Sequence, residues 1–421
     1  MITRPSIRRL ARSALVAAAV PLTILATSVS ASASPGDTVS SNDTVRQFGV
    51  SFTVQNVNRS AIECAADGKT YTVRGHITAP VQSFTDPQAV TVLLHGLSYG
   101  EFFGNFDAVP GYNFAESQAM SGHTTVTIDR LGYGSSGKPA GKDICFGSRA
   151  DIAHQIVQQL RAGSYTVDGI QSPKFRQVVL AGHSVGGLIA QAEAYSFGDI
   201  DGLMVLSYSD TDVSPAAKGA LAVATQECQA GGQKQDGTTG PEGYVYFGAQ
   251  TPEKFIEAHF YVNNADPSVV DATAGLRSRD PCGDVLSYKT AAATNLKNLS
   301  KISVPTLVLI GGADAIYPVT ADKQAGLLTG STDVTAVTIP LTGHAVALHR
   351  TADLFSSDVA GWLAKHDFGG WAMPVGAPNT GGGSTAAQGP AGDTGRAVLL
   401  TTGMLSILAA AAVLFRRRAH R

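Results

Sequence analysis

The sequence predicts an α/β fold, with a mostly parallel central sheet covered by helices on both faces. Short apolar stretches alternate with helical stretches between about residues 44 and 371, and such alternation is typical of parallel sheets. Glycine and polar residues directly follow several of the strands. Because ligands of these sheets bind beyond the carboxyl ends of the strands, those residues are the candidates for function.

The predicted elements follow one another in a regular order. Strands are expected at Val50–Val54, Thr70–Val73, Ala89–Leu94, Thr124–Ile128, Val178–Leu180, Leu203–Leu206, Thr306–Ile310 and Val334–Ile339, the first two as an antiparallel pair. Helices are expected at Asn113–Met120, Ile152–Ala162, Val185–Ser196, Ala321–Leu328 and Ala352–Lys365.

One strand-to-helix junction contains a serine between two glycines, in the run Gly182-His183-Ser184-Val185-Gly186. In a tight turn of this kind the backbone folds onto itself, so that residues two positions either side of the serine must be small. The pentapeptide alone is weak evidence in a chain with 46 glycines. Its context, with a strand before and a helix after, makes Ser184 a candidate nucleophile.

Residues that could assist a serine follow the other strands. His95-Gly96-Leu97 follows the third predicted strand, Asp129-Arg130-Leu131-Gly132 the fourth, Asp314 a late strand, and Gly343-His344 the last strand. The chain order Ser, Asp, His is that of the α/β-hydrolases, and residues 50 to 365 resemble this superfamily. Asp210 and Asp212 compete with Asp314 for the role of the acid, and His349 competes with His344 for that of the base.

The resemblance implies a role for each residue. His344 accepts the proton of Ser184, Asp314 orients the imidazole, and the N–H groups of Leu97 and Val185 stabilise the oxyanion. His183 is expected to pack, His95 to support the oxyanion loop by hydrogen bonding, and His349 to lie in the first turn of the next helix. The segment Asp129–Gly132 is expected to shape a loop.

The resemblance also divides the chain into a catalytic core and an insertion. Residues 44–209 and 304–371 form the core, and residues 210–303 form a cap over the site. The cap is rich in aromatic residues that either line an acyl-binding pocket or form its own core, namely Tyr244, Tyr246, Phe247, Phe255, Phe260 and Tyr261.

The expected activity is hydrolysis of a small-molecule carboxylic ester through an acyl-enzyme, without cofactor or metal. Amide or peptide hydrolysis and cofactor-free haloperoxidase chemistry use the same triad and stay open. A surface binding protein with this fold is the alternative outside enzymes. The formal net charge of −2 does not favour a nucleic-acid partner.

Four cysteines, Cys64, Cys145, Cys228 and Cys282, have no metal-binding spacing. Two disulfides are expected if the protein is exported. Three pairings are possible, and we favour Cys228 with Cys282, both in the insertion, which leaves Cys64 with Cys145.

Both ends of the chain predict export and anchoring. Residues 1–33 combine four arginines, an apolar run from Ala14 to Ala26 and a cleavage site before Ser34, which is typical of a signal peptide. A linker at 374–395 precedes an uncharged run from Ala397 to Phe415 and a basic tail at 416–421. This run is long enough to span a bilayer with the large domain outside, and its order also resembles a sortase signal for attachment to the cell wall.

Overall fold

A nine-stranded sheet forms the centre of the protein in a computed structural model that describes residues 44–233, 242–248 and 251–369. Within this part of the chain the strand order is β11-β10-β7-β6-β3-β4-β2-β1-β5. The six strands from β11 to β4 are parallel, and β2, β1 and β5 extend the sheet antiparallel. The predicted α/β class, with a mostly parallel sheet, is confirmed.

The strands of the large sheet are β1 (Val45–Gln55), β2 (Thr70–Pro80), β3 (Ala89–Leu94), β4 (Thr125–Asp129), β5 (Thr166–Val167), β6 (Gln177–His183), β7 (Gly202–Leu206), β10 (Thr306–Gly311) and β11 (Val334–Ile339). The strands β8 (Tyr244–Val245) and β9 (Asp280–Pro281) pair separately. The sequence analysis did not predict β5, β8 or β9, because two residues are too few to form a recognisable alternating pattern.

The helices are α1 (Phe114–Met120), α2 (Phe146–Ala162), α3 (Val185–Ser196), α4 (Pro215–Gln229), α5 (Pro252–His259), α6 (Pro267–Leu276), α7 (Cys282–Asn298), α8 (Ala321–Ala325) and α9 (Ala352–Lys365). Helix α2 begins six residues before the predicted start at Ile152. Its first turns bury the charged residues Arg149 and Asp151, which interrupt the apolar periodicity on which the prediction depends. Helix α8 is shorter than predicted and ends at Ala325.

The core lies in two layers, one on each face of the sheet. Successive residues of β6 alternate between them: Val178 and Leu180 join one buried cluster, and Val179 and Ala181 join the other. This alternation is what the two-residue period of a strand requires when both faces are covered.

The segment between β7 and β10 contains α4 to α7 and the small sheet of β8 and β9. Helix α7 packs against α2 and α3 of the core, and α5 and α6 contribute side chains to the buried cluster on the other face of the sheet. A disulfide joins Cys228 in α4 to Cys282 at the start of α7, and a second joins Cys64 to Cys145. This is the pairing that the sequence analysis favoured.

None of the helices in the described ranges is both long and apolar enough to cross a bilayer. The predicted signal peptide at 1–33, the linker at 374–395, the apolar run at 397–415 and the basic tail all lie outside the described residues.

The disulfide of α4 and α7 closes a loop with a sequence separation of 54 residues, and we expect its removal to destabilise the protein. A Cys228→Ser/Cys282→Ser double variant should lose about 2–4 kcal/mol, because its unfolded chain regains the freedom that the cross-link removes. Urea unfolding of both proteins without reductant measures the loss. Wild type treated with reductant is the control, and equal midpoints for oxidised wild type and the variant would contradict the expectation.

Candidate active site

Ser184 occupies a strained turn between β6 and α3. Its φ is +55°, and its N–H donates to Leu206 O of the neighbouring strand β7 at 2.8 Å. The two flanking glycines touch through their backbones: a Cβ on Gly182 would lie 2.1 Å from Gly186 C. Since no larger residue fits there, the pentapeptide needs both glycines to place the serine at the end of the strand.

Asp314 and His344 form a buried pair beside this turn. The Nδ1–H of His344 donates to Asp314 Oδ2 at 2.9 Å, and neither side chain is exposed. The other oxygen of Asp314 accepts from the N–H groups of Ile316 and Tyr317, which fixes the carboxylate. With Nδ1 protonated, Nε2 carries the lone pair, and it is buried without a hydrogen-bond partner within the described residues.

His183, the residue before Ser184, connects the turn at residues 182–186 (the elbow) to the loop that carries His344. Its Nε2–H donates to the backbone O of His344 at 3.0 Å, and its ring stacks on Phe103 at 3.8 Å. Burial lowers the pKa of His183 well below its usual range, so the ring is neutral. His183 therefore packs, as predicted, and it also positions the loop that carries His344.

The competing acids and base have other partners. Asp210 is buried and accepts from Gln324 and Asn295, and Asp212 bonds to Lys323. His349 does not lie in the first turn of α9, as the sequence analysis expected, but three residues before it. Its Nε2 accepts from the N–H groups of Tyr261 and Gly343. These hydrogen bonds hold His349 in the turn that precedes α9.

The loop after β3 lies directly against Ser184. A Cβ on Gly96 would lie 2.7 Å from the Cβ of Ser184. The Gly96 carbonyl accepts from His95 Nδ1–H at 2.8 Å and from the Arg130 guanidinium at 3.0 Å. Because C=O and N–H of a trans peptide point in opposite directions, this anchoring also fixes the direction of the Leu97 N–H. Within the described part of the chain, neither this N–H nor that of Val185 donates to another protein group.

A buried charged network supports the same loop, and the sequence analysis missed it. Asp280 of the insertion accepts from Ser98 N–H at 2.7 Å and from the Tyr133 hydroxyl at 2.9 Å. Asp284 lies between the guanidinium groups of Arg149 and Arg130, at 2.5 and 3.5 Å. These groups are distant in sequence, and no local pattern marks charged residues that pair only after folding.

Asp129 shapes a loop, as predicted. One carboxylate oxygen accepts from Ser135 N–H and Oγ–H, and the other accepts from Glu101 N–H. It therefore connects the turn after β4 to the chain at Glu101, beyond the loop that follows β3.

Ser184 opens into an apolar cavity of about 40 Å³. The insertion contributes much of its wall, together with Leu97 and Val185. The insertion residues that line it are Val213, Ala217, Leu221, Phe247, His259, Asp284, Val285 and Tyr288. Of the aromatic residues considered above, Phe247 lines this cavity, whereas Phe255 and Phe260 belong to the buried core.

A larger cavity of about 250 Å³ lies next to the first. The two cavities share Ala217, Phe247, His259 and Ile316, which therefore separate them. His259, which the sequence analysis also missed, places its ring centroid 5.2 Å from that of His344. Its Nδ1 lies 2.9 Å from the Tyr99 hydroxyl, and burial lowers its pKa well below its usual range.

Asp280 makes the stability of this region depend on pH. Burial raises its pKa to about 6, above the value of about 3.9 in an unfolded chain. Between these two values the native state therefore binds more protons than the unfolded chain. The contribution of Asp280 to the free energy of unfolding is then largest below about pH 4 and is lost as the pH rises through about 6. The loss is at most about 3 kcal/mol.

Asp280→Asn keeps an acceptor for Ser98 but does not titrate. We therefore expect the free energy of unfolding of this variant to decrease less than that of wild type between pH 4.5 and 7. Urea unfolding at both pH values measures it, with Asp86→Asn on the exposed surface as control. An unchanged pH dependence in Asp280→Asn would contradict the expectation.

Comparisons with known proteins agree with this architecture. Residues 91–357 match the model of the "Alpha/beta hydrolase family". A thermophilic esterase from Thermogutta terrifontis is similar in structure, with a TM-score of 0.52 and 20% identity over 75% of this chain and 99% of that one. A monoacylglycerol lipase from Paleococcus ferrophilus has a TM-score of 0.48 and 19% identity, over 66% and 94% of the two chains. The family model covers more than half of the chain, which therefore belongs to the alpha/beta hydrolase family of enzymes.

Proposed function

We propose that the protein is an exported serine hydrolase that cleaves carboxylic esters through an acyl-enzyme. The observation that carries the proposal is the His344 imidazole. Asp314 holds its Nδ1–H, and its Nε2 is buried beside the turn of Ser184 with no hydrogen-bond partner among the described residues. A serine hydroxyl is a weak nucleophile at neutral pH, and an adjacent base with a free lone pair is what it requires.

In this mechanism Ser184 Oγ attacks the ester carbonyl while His344 Nε2 takes its proton. The carboxylate of Asp314 stabilises the resulting imidazolium. Collapse of the tetrahedral intermediate breaks the bond to the alcohol, which receives the proton from His344. Water then attacks the acyl-enzyme by the same steps and releases the acid.

The negative oxygen of the intermediate accepts hydrogen bonds from the N–H groups of Leu97 and Val185. Neither N–H donates to another group in the described ranges of the chain, which supports this role. The start of α3 at Val185 supports it as well, because the helix dipole favours negative charge there. His95 and Arg130 act indirectly, because they hold the Gly96 carbonyl.

Export is supported by the two disulfides, which persist in oxidising compartments. The proposed signal peptide at 1–33 directs secretion, and the run from Ala397 to Phe415 retains the enzyme at the outer face of the membrane or, after sortase cleavage, at the wall. Detergent extraction distinguishes the two, because it releases a protein anchored by a helix but not one linked to the wall.

The substrate is an ester with a short acyl group. The cavity beside Ser184 has a volume of about 40 Å³, much smaller than the neighbouring cavity of about 250 Å³. Its lining is mainly aliphatic and aromatic, which favours an unbranched hydrocarbon chain over a charged group.

Substitution of the triad tests the reaction. We expect Ser184→Ala to abolish labelling by a fluorophosphonate probe. We expect Asp314→Asn to lower kcat for p-nitrophenyl acetate about 10⁴-fold, because the imidazole loses its oriented tautomer.

Asp210→Asn is the matched control, since this buried aspartate follows a neighbouring strand and does not contact His344. The kcat of this variant should stay near that of wild type. A folded wild type that neither reacts with the probe nor cleaves esters would overturn the proposal and favour a binding protein.

Phe247 should limit the length of the acyl chain. We expect Phe247→Ala to join the two cavities and to shift the preference from p-nitrophenyl acetate or propionate towards octanoate by at least about tenfold in kcat/KM. Phe355→Leu, a change in the core on α9 at a residue that lines neither cavity, is the control and should keep the wild-type preference. The same profile in Phe247→Ala and wild type would exclude Phe247 as the barrier.

A further inference from the structure

Three side chains of the kinds that bind metal ions converge at the far end of α3 from Ser184. His154 belongs to α2, Glu193 lies near the end of α3, and Asp199 lies in the loop that follows. One ligand atom of each residue lies within 4.8 Å of the corresponding atoms of the other two. Glu193 is nine residues after Ser184, about 13 Å along the helix, so this cluster is separate from the proposed triad.

The carboxylate of Glu193 points to a bound ion. Its side chain is fully buried, and within the described residues neither oxygen accepts a hydrogen bond from a nitrogen or hydroxyl donor, while the carboxylate of Asp199 lies close to it. Buried carboxylates are otherwise paired or hydrogen-bonded, because desolvation of an isolated charge is costly. The guanidinium of Arg161 does not supply this pairing, since it donates to the Asp201 carboxylate and to the backbone O of Arg176 and Asp199.

The spacing of the other two residues is also that of metal ligands. His154 Nδ1 lies 2.8 Å from Asp199 Oδ2, yet this nitrogen makes no hydrogen bond of acceptable geometry within the described residues. Neighbouring ligands of one ion, with bonds of about 2.0–2.1 Å, lie roughly 2.8–3.4 Å apart without a hydrogen bond between them. Gln158 bonds to Asp199, and the His154 ring stacks on Phe197 at 4.1 Å, so both side chains are held in place.

We propose that His154, Glu193 and Asp199 bind one divalent first-row metal ion of the Zn²⁺ or Mn²⁺ type. An imidazole nitrogen with two carboxylates suits these ions better than Ca²⁺, which prefers oxygen ligands alone. The ion neutralises the two carboxylates and links α2 to the end of α3, the helix that begins at the elbow. The side chains of His154 and Asp199 are 21% and 20% exposed, which gives the ion a route from solvent.

Metal binding to the full-length protein tests this site. After treatment with a chelator, the protein is titrated separately with Zn²⁺, Mn²⁺ and Ca²⁺, and bound metal and the thermal midpoint are measured. We expect one equivalent of Zn²⁺ or Mn²⁺, with a midpoint that rises by about 4 °C at a metal concentration 100 times the Kd, and no comparable rise with Ca²⁺.

Glu193→Gln, which keeps the shape but not the charge, should weaken binding about 100-fold, and His154→Asn at the partly exposed position should weaken it as well. His76→Ala removes another histidine that pairs with a single carboxylate, that of Glu101, and this variant should bind metal like wild type.

If wild type retains no metal and its thermal midpoint does not respond, the carboxyls of Glu193 and Asp199 share a proton and the proposal is wrong. Equal binding by wild type and both site variants would place the ion elsewhere, and would overturn it too. Neither readout depends on ester hydrolysis, so failure here is distinguishable from failure of the proposed function.

Discussion

The close approach of the backbone at the elbow is the constraint on which the site depends. The chain reverses so tightly around Ser184 that the backbones of Gly182 and Gly186 are in contact. The unfavourable φ at Ser184 costs on the order of 1–3 kcal/mol and persists only because its surroundings hold it. Those surroundings are the central strands and α3, which are buried on all sides. A rigid sheet is therefore what keeps the hydroxyl at one position.

The insertion contributes to the site as well as covering it. Asp280 connects the insertion to the loop after β3 through Ser98, and Phe247 N–H donates to the same carboxylate. A change in the insertion that moves Asp280 would therefore alter both the cavity and the loop. The charged groups of Arg130 and Asp284 are buried at this junction and lie opposite each other, and Arg130 also donates to the Gly96 carbonyl.

Histidine has several different functions in this region. His344 is the proposed base, His183 holds the backbone of its loop, and His349 braces the turn that follows. Burial lowers the pKa of His183 and His349, which keeps these rings neutral and able to accept as well as donate. The positive charge that develops during the proposed reaction is thus confined to the ring that Asp314 faces.

The sequence by itself determined the fold class, most strands of the large sheet and the residues at their ends, because apolar periodicity and tight-turn glycines act over short distances. It favoured Asp314 over Asp210 only through the resemblance, since both follow strands, and only the folded chain shows which carboxylate meets His344. The tertiary structure alone revealed Asp280, His259 and the separation of the cavities by Phe247, because those contacts join segments far apart in the chain. The elbow is a local feature, whereas the shape of the cavity in front of it arises only when the insertion packs onto the core.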